Sequence, residues 1–438
     1  MVLEDYLKTD CLKYPDKTAV ICDNKSVTYS ELYCLVEKKM TELIENGFSK
    51  GDIITFKSSQ DIDFIITYFA IHLIGCVAVP LEKDIPDNRL KEINGKFDSC
   101  SIPDDVADIL FTTGTTGKSK GVMISNSTII ADAENLIDAQ GFSHDILFII
   151  CGPLNHIGCL SKIYPVIMCG ATLLIMKGMK DINAFFTALD SPYEKIATFL
   201  VPANIRILIS FGRKQLEHFA DKIDFIETGA APMAQSDMNE LCKILPNTRL
   251  YNTYASTETG IISTYNYNDG NCIAGCLGRP MKHSQIIITE NGTIACKGDT
   301  LMSGYVGDKQ LTDSILHDNT IFTSDNGMID NNGMLHLTGR MDDVINVGGM
   351  KVAPSEVENV ALSLPFIKDC ICISMVHPIM GSILKLLVVL KEGKSLDKKE
   401  IAKYINTKLE TYKVPTAYEQ VDKIERTFNG KINRKAYR

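Results

Sequence analysis

The segment Thr112–Gly121, Thr-Thr-Gly-Thr-Thr-Gly-Lys-Ser-Lys-Gly, places glycines, threonines and lysines between two apolar runs. Glycines let the backbone approach a ligand closely, and successive backbone N–H groups together with hydroxyls form an anion-binding concavity. The lysines add positive charge. This combination predicts a loop that binds the phosphates of a nucleotide.

A Walker A loop is the first alternative for such a segment, but the match is incomplete. Gly117-Lys118-Ser119 fits the end of G-x-x-x-x-G-K-[ST], whereas Thr112 stands where the first glycine is required. A Walker A loop also continues into a helix, and here the next residues, Val122–Ser125, have strand character. A P-loop ATPase or kinase is therefore the weaker interpretation.

The elements around this loop alternate between strand and helix character, which favours an α/β architecture with buried sheets. Ser30 is predicted to cap a helix that begins at Glu31. The Gly/Asn/Asp-rich stretches 266–278 and 324–334 predict turns between short strands of a small barrel-like part. Strand-like runs occur at Thr18–Asp23, Ala107–Phe111, Val122–Ser125, Ala171–Met176 and Tyr193–Pro202.

Four further segments carry residue types suited to nucleotide chemistry. Tyr254–Glu258 offers an aromatic face for a base and a hard carboxylate ligand for Mg²⁺. Phe322–Asp325 ends on a carboxylate, Gly339–Val352 combines charged residues with adjacent glycines, and Asn429–Arg434 is basic. Each segment alone would be an ordinary turn or surface feature. The functional interpretation therefore depends on the order in which the segments follow one another along the chain.

Together with the glycine-rich loop, these segments resemble the ordered motifs of the adenylate-forming, or AMP-binding, superfamily. The branch they resemble is that of the acyl-CoA synthetases, which includes fatty-acid and aryl-CoA ligases. Three departures from the family pattern occur: Thr113 replaces serine, Ser119 replaces proline and Ser324 replaces glycine. The first departure keeps the hydroxyl, and the second removes no ligand atom.

This resemblance implies a nucleotide site. Tyr254 would stack on adenine, and Asp325 and Arg340 would contact ribose. The ATP phosphates would be bound by residues of the glycine-rich loop, namely Thr112, Thr113, Gly114, Thr115, Thr116, Gly117 and Lys120.

The resemblance also implies three catalytic residues. Thr257 would contact the α-phosphate, and Glu258 would hold Mg²⁺ as the metal ligand. Lys431 would reach the substrate carboxylate and the α-phosphate during adenylation. Asp342 matches the family's hinge residue, while Gly348, Gly349 and Lys351 match the loop that lines the CoA tunnel.

The acid would lie against His156 and the segment Gly229, Ala230, Ala231. In amino-acid-activating relatives, the segment that corresponds to the one around His156 carries an aspartate that pairs with the substrate ammonium. No aspartate lies between Ile146 and Lys180, and an unpaired buried ammonium is costly, so an α-amino acid substrate is disfavoured.

The implied fold is α/β, with a large N-terminal domain of stacked α/β sheets plus a small barrel-like part, and a small mobile C-terminal α+β domain. The predicted boundary separates residues 1–339, the adenylation domain, from residues 340–438, which carry the hinge and the catalytic lysine. Residues after 339 have an excess of Lys and Arg, whereas the rest of the chain is acidic. This asymmetry favours two domains.

Composition sets further limits. The chain has 438 residues and a formal net charge of -9, which argues against a nucleic-acid partner. Its 14 cysteines are dispersed, and the N-terminus lacks a basic segment followed by an apolar one, so we expect a cytoplasmic protein. The apolar run Phe64–Leu81 contains Gly75 and Pro80, which predicts a buried helix and strand rather than a transmembrane segment.

The sequence therefore predicts an acid–thiol ligase that uses ATP, Mg²⁺ and CoA. A carboxylic acid is activated to an acyl-adenylate, with release of pyrophosphate, and is then transferred to CoA. The alternative acceptor is the phosphopantetheine of an acyl carrier protein. A nucleotide-binding protein without catalytic activity is the other class considered, and Glu258, Asp325, Arg340 and Lys431 argue against it.

Overall fold

The computed structural model describes residues 1–97, 100–113, 119–340, 345–347, 350–377, 381–426 and 432–437. The strands, numbered in chain order, are β1 Thr18–Cys22, β2 Lys25–Thr28, β3 Ile53–Lys57, β4 Val77–Leu81, β5 Val106–Thr113, β6 Ser119–Ser125, β7 Ile146–Ile150, β8 Thr172–Ile175, β9 Lys195–Leu200, β10 Ile223–Thr228, β11 Arg249–Ser256, β12 Gly260–Asn266, β13 Cys276–Pro280, β14 Ser284–Ile288, β15 Thr293–Gly298, β16 Gly304–Tyr305, β17 Leu316–His317, β18 Thr320–Ile329, β19 Leu335–Arg340, β20 Ile345–Val347, β21 Met350–Val352, β22 Ile367–His377, β23 Gly381–Leu390 and β24 Ala417–Gln420. The helices are α1 Leu3–Lys13, α2 Tyr29–Glu45, α3 Ile62–Ile74, α4 Asp87–Phe97, α5 Asn126–Gln140, α6 Ile157–Met168, α7 Ile182–Leu189, α8 Pro202–Phe211, α9 Arg213–His218, α10 Gln235–Ile244, α11 Lys309–Ile315, α12 Pro354–Leu362 and α13 Lys398–Asn406.

The largest sheet has a parallel centre. Its strand order is β14-β15-β18-β19-β13-β12-β11-β10-β9-β7-β8-β1-β2. In this order, the six adjacent strands β11, β10, β9, β7, β8 and β1 pair in parallel. At one side β2 pairs antiparallel with β1, and at the other side β12 pairs antiparallel with β11 and β13 with β12. Because parallel neighbours all run in one direction, their carboxyl ends lie at a single edge of the sheet.

Both faces of this parallel centre are buried, as the apolar strand sequences require. Every residue of β7, Ile-Leu-Phe-Ile-Ile, is buried. Its alternate side chains enter two different hydrophobic clusters, with Phe148 on one face and Leu147 and Ile149 on the other. The sheet is thus a layer between two cores.

A second sheet has the order β16-β6-β5-β4-β3. Strands β5 and β6 form an antiparallel pair on either side of the glycine-rich segment, with Thr112 opposite Lys120. The short strand β16 comes from far along the chain and pairs with β6, so that Tyr305 lies opposite Val122. This pairing brings a distant segment to the base of the predicted phosphate loop.

Strands β13, β14, β15, β18 and β19 extend the large sheet rather than standing apart from it. The stretch 324–334 was predicted to be a turn, and this is wrong for its first half, because residues 324–329 belong to β18. Polar residues can occupy an antiparallel strand whose one face meets solvent. Gly278 in β13 has φ +84°, and a Cβ there would be 1.9 Å from the carbonyl oxygen of Thr264, so only glycine fits.

The C-terminal residues have a core of their own. Strand β22 pairs antiparallel with β23, which pairs in parallel with β24, and α12 and α13 pack on this sheet. Buried residues of this core include Val357, Cys372, Leu386 and Ile401. The predicted boundary at residue 340 remains a prediction.

Helix α2 begins earlier than the sequence predicted. Thr28, not Ser30, is the N-cap, because its hydroxyl accepts a hydrogen bond from the N–H of Glu31 while the Glu31 carboxylate accepts one from the N–H of Thr28. This is a capping box, whose Thr-x-x-Glu spacing is present in the sequence.

The apolar run after residue 62 forms a helix and a strand, as predicted. Helix α3 ends at Gly75, which has φ 79°, and the fully buried strand β4 follows. Among the described residues, no helix is long and apolar enough to cross a membrane.

Candidate active site

The carboxyl edge of the parallel strands collects the predicted acid- and phosphate-binding residues. The loop after β7 leads to His156, Gly229–Ala231 follow β10 directly, and Thr257 and Glu258 follow β11. These strands are close neighbours in the order β11-β10-β9-β7. Ligands of open α/β sheets bind outside this edge, so the topology supports one common site.

The turn after β11 is tightly fixed. The N–H of Thr259 donates to the Ser256 hydroxyl at 3.0 Å, and the N–H of Ser256 donates to the Thr259 hydroxyl oxygen at 3.1 Å. Gly260 follows with φ +67°, and a Cβ there would be 2.5 Å from the carbonyl oxygen of Thr300. Thr257 and Glu258 therefore project from a turn whose two ends are held in place.

Tyr254 and Asp325 are brought together from separate strands. The Tyr254 hydroxyl donates a hydrogen bond of 2.9 Å to Oδ2 of Asp325. Burial, and secondly the Asp325 charge, raise the pKa of Tyr254 well above its ordinary value, so the phenol stays protonated. Asp325 is paired across the β18–β19 ladder with Arg340. The residues predicted to contact adenine and ribose are thus neighbours.

Glu258 contacts a residue that the motif analysis did not include. The Tyr305 hydroxyl donates a hydrogen bond of 2.9 Å to Oε1 of Glu258, and Lys120 Nζ lies 5.2 Å from the centre of the Tyr305 ring. Burial, and secondly the Glu258 charge, raise the pKa of Tyr305 above its ordinary range. One tyrosine therefore connects the predicted metal ligand with Lys120 of the glycine-rich segment.

Backbone hydrogen bonds hold Tyr305 in this position. The N–H of Val306 donates to the Gly121 carbonyl at 2.9 Å, and the N–H of Met302 donates to the Glu258 carbonyl at 2.9 Å. The N–H of Tyr305 donates to the Thr312 hydroxyl at 2.9 Å. The segment 302–306 is thereby held to β6 of the second sheet and to the turn between β11 and β12 of the large sheet.

The predicted acid pocket is built from small residues. A Cβ at Gly229 would be 3.2 Å from the Thr253 carbonyl oxygen, and a Cβ at Gly158 would be 3.2 Å from the Phe199 ring. Ala230 has φ 66°, a left-handed conformation that a non-glycine residue adopts at a cost and that is common at functional sites. His156 precedes the first residue of α6 as its N-cap residue.

Several predicted site residues lie outside the described part of the chain. They are Gly114, Thr115, Thr116, Gly117, Asp342, Gly348, Gly349 and Lys431. Their assignments remain predictions.

Sequence reasoning missed three residues near this edge: Tyr305, Lys162 and Glu227. Lys162 did leave a signal, because it is a charged residue within the apolar helix Ile-Gly-Cys-Leu-Ser-Lys-Ile-Tyr-Pro-Val-Ile-Met. Tyr305 left none, since its partners are Glu258 and Lys120 and neither is near it in sequence.

The chain matches two family models. The AMP-binding enzyme model matches residues 7–100 and 95–306, and the model of the AMP-binding enzyme C-terminal domain matches residues 356–431. The chain belongs to the AMP-binding enzyme family. The resemblance drawn from the motifs is therefore confirmed.

Similar proteins cover the chain over its whole length. An indoleacetate–CoA ligase of Aromatoleum aromaticum is 25% identical over 99% of this chain and 97% of its own length. A 2-succinylbenzoate–CoA ligase of Bacillus cereus is 25% identical over 100% of this chain and 98% of its own. A solved o-succinylbenzoate coenzyme A synthetase of Bacillus subtilis, in complex with ATP and a magnesium ion, superposes with a TM-score of 0.85 at 21% identity, covering 98% of each chain. The predicted fold class is confirmed.

A buried carboxyl group lies beneath the β11–β12 turn. Asp132 of α5 is 1% exposed, and its Oδ1 accepts a hydrogen bond of 2.8 Å from the N–H of Ile261. Burial raises the pKa of Asp132 from 3.8 to about 7, against smaller opposing effects of that hydrogen bond and of Lys162.

This pKa predicts a pH dependence of stability. Between pH 3.8 and about 7 the folded state keeps a proton on Asp132 that the unfolded state loses, so the free energy of unfolding falls as pH rises. Asp132→Asn keeps the acceptor oxygen and removes the ionisation, so the fall in the free energy of unfolding over this pH range should be smaller by about 4 kcal/mol. Urea unfolding across this pH range, with the exposed Asp138→Asn of the same helix as control, measures it. Equal slopes for Asp132→Asn and the wild type would contradict the assignment.

Proposed function

We propose that this chain is an ATP-dependent acid–CoA ligase, which activates a carboxylic acid as an acyl-adenylate and transfers the acyl group to CoA. The observation that supports this most is the presence of the Tyr254–Asp325 pair and the Glu258–Tyr305–Lys120 group at the end of β11, while Gly229–Ala231 follow the adjacent strand β10. A nucleoside site, a phosphate site and an acid site are what the first reaction requires. Relatives named as CoA ligases over their full length support the thioester step.

In the first reaction a carboxylate oxygen of the acid attacks the α-phosphorus of ATP. The bond from that phosphorus to the bridging oxygen breaks, and pyrophosphate leaves with the bonding electrons. Tyr254 and Asp325 hold adenine and ribose, and Thr257 contacts the α-phosphate. Because negative charge accumulates at phosphorus, positioning and fixed positive groups supply most of the rate enhancement, and Lys120 and Lys431 provide such groups.

Glu258 is the residue we assign to Mg²⁺. Proteins hold this ion through one or two carboxylates together with substrate phosphates, so a single carboxylate beside a phosphate loop fits it. Within the described ranges no group of three or more acidic, histidine or cysteine side chains could form a metal cage by itself. When bound, the ion neutralises phosphate charge, and the chain's contribution is to hold the Glu258 carboxylate in place through Tyr305.

In the second reaction the thiol sulfur of CoA bonds to the acyl carbon and its proton is released. The bond from that carbon to the phosphate oxygen of AMP breaks, and AMP leaves with the bonding electrons. We assign the C-terminal domain, residues 340–438, a rotation about Asp342 that withdraws Lys431 and brings Gly348, Gly349 and Lys351 to the acyl group. Adjacent glycines leave room for the narrow pantetheine arm. One site would then serve two reactions in turn. Loading of an acyl carrier protein through the same tunnel is the alternative.

The proposed function predicts acid-dependent exchange of labelled pyrophosphate into ATP. A panel of aryl, fatty and small carboxylic acids should include at least one that supports exchange, and addition of CoA should then release AMP and an acyl-CoA. Replacing CoA by a holo acyl carrier protein tests the alternative acceptor. Release of ADP in place of AMP and pyrophosphate, or no exchange with any acid, would refute the proposal.

Lys431→Ala separates the two reactions. We expect it to slow adenylation about 100-fold or more, because a positive group that meets the developing charge is lost. Thioester formation from preformed acyl-adenylate should keep its rate. Lys423→Ala, which removes an exposed lysine paired with Glu425, is the control and should change neither rate. Equal loss in both reactions would contradict the role of Lys431.

Tyr305→Phe tests the support of Glu258. The variant keeps the ring beneath Lys120 but removes the hydroxyl that orients the carboxylate, so the Mg²⁺ concentration for half-maximal pyrophosphate exchange should rise about fivefold. Tyr29→Phe removes another buried hydroxyl, which donates to the Ala171 carbonyl at 2.7 Å, and serves as the matched control. An unchanged Mg²⁺ requirement in Tyr305→Phe would show that the contact is only structural.

A further inference from the structure

Lys162 and Glu227 form a buried ion pair that the proposed reaction steps do not use. Lys162 Nζ lies 2.8 Å from Oε1 of Glu227, and the two side chains are 1% and 0% exposed. Lys162 Nζ also lies 5.3 Å from the centre of the Phe199 ring. Burying a charged group costs several kcal/mol unless each of its polar atoms has a partner. A buried ion pair therefore calls for a functional or structural explanation.

The pair lies beside the small residues of the predicted acid pocket. Gly158 and Lys162 are one turn apart on α6 and share a helix face. Glu227 is the penultimate residue of β10, and Gly229 follows the strand directly. Phe199 lies beside Glu227 in the β9–β10 ladder and packs against both glycine positions. The ion pair and the ring therefore form the floor of the pocket.

One oxygen of this floor remains unsatisfied. Oε2 of Glu227 is buried and has no hydrogen-bond partner among the described residues. Leaving a buried carboxylate oxygen without a donor destabilises the protein by more than an ordinary hydrogen bond stabilises it. A hydrogen-bond donor on a bound molecule is therefore strongly favoured at this oxygen. Because Lys162 already balances the charge of Glu227, a neutral donor fits better than a second cation.

We propose that Oε2 of Glu227 accepts a hydrogen bond from a neutral donor, a hydroxyl or ring N–H, at the end of the acid substrate far from its carboxylate. The preferred acid is then a hydroxy or N–H-bearing acid, and a plain alkyl or aryl acid is a poor substrate. This inference rests on the proposed function and specifies the chemical class of its acid.

Matched acids test the preference. Pyrophosphate exchange is measured with para-hydroxyphenylacetate, para-methoxyphenylacetate and phenylacetate, and with ω-hydroxy alkanoates of increasing length beside their unsubstituted parents. At the length that reaches Glu227, the hydroxy acid should exceed its parent in kcat/KM by about tenfold or more. The methoxy acid keeps the oxygen but has no proton to donate, so it should behave like the parent or worse.

Variants of the pair test the contact itself. The double variant Lys162→Met with Glu227→Met replaces the ion pair by apolar side chains of similar length, a change that buried pairs often tolerate. It should lose the preference for the hydroxy acid or reverse it, while KM for ATP stays unchanged. Thr228→Val, next to Glu227 but directed to the opposite face of β10, is the control and should keep the wild-type preference.

The outcomes separate the two proposals. If the wild type exchanges pyrophosphate as fast or faster with the unsubstituted acids than with the hydroxy acids, this inference is overturned. The proposed function is not affected by that result. A preference for the hydroxy acid that survives in the double variant places the donor contact elsewhere and also overturns it. Absence of exchange with every acid refutes the proposed function, and the inference with it.

Discussion

The shared direction of neighbouring strands is the constraint on which the rest of this structure depends. Strands β7, β9, β10 and β11 run in parallel, so their carboxyl ends and the loops that follow them meet at one edge. Residues far apart in sequence, such as His156, Ala230 and Glu258, therefore follow strands that end at the same edge of the sheet. Buried apolar residues pack on both faces of these strands.

Contacts between residues distant in sequence add further side chains to this edge of the sheet. Asp325 reaches Tyr254 from the antiparallel extension, and Tyr305 reaches Glu258 from the end strand of the second sheet. The candidate site consequently draws on three parts of the fold, and each part contributes polar groups that are paired within the protein. A ligand that replaces one of these pairings must offer equivalent hydrogen bonds.

The sequence was sufficient for the family and the fold class, because the motif order and the apolar character of the strands are evident in it. The roles that it assigns to the candidate site residues stay predictions. It failed where structure depends on distant partners. The strand at 324–329 is rich in turn-forming residues, yet pairing with β19 makes it extended. The Lys162–Glu227 pair joins a helix to a strand, and no local pattern specifies such a contact. The helix start at Thr28, in contrast, could have been found from the Thr-x-x-Glu spacing.

The pairing of β16 with β6 also has a consequence for how the protein is made. Strands β5 and β6 are synthesised early, whereas the strand that completes their sheet and supplies Tyr305 emerges from the ribosome much later. The edge of β6 stays unpaired in the nascent chain until then, and exposed strand edges invite association with other chains. This topology therefore requires that the edge of β6 be protected from association during translation.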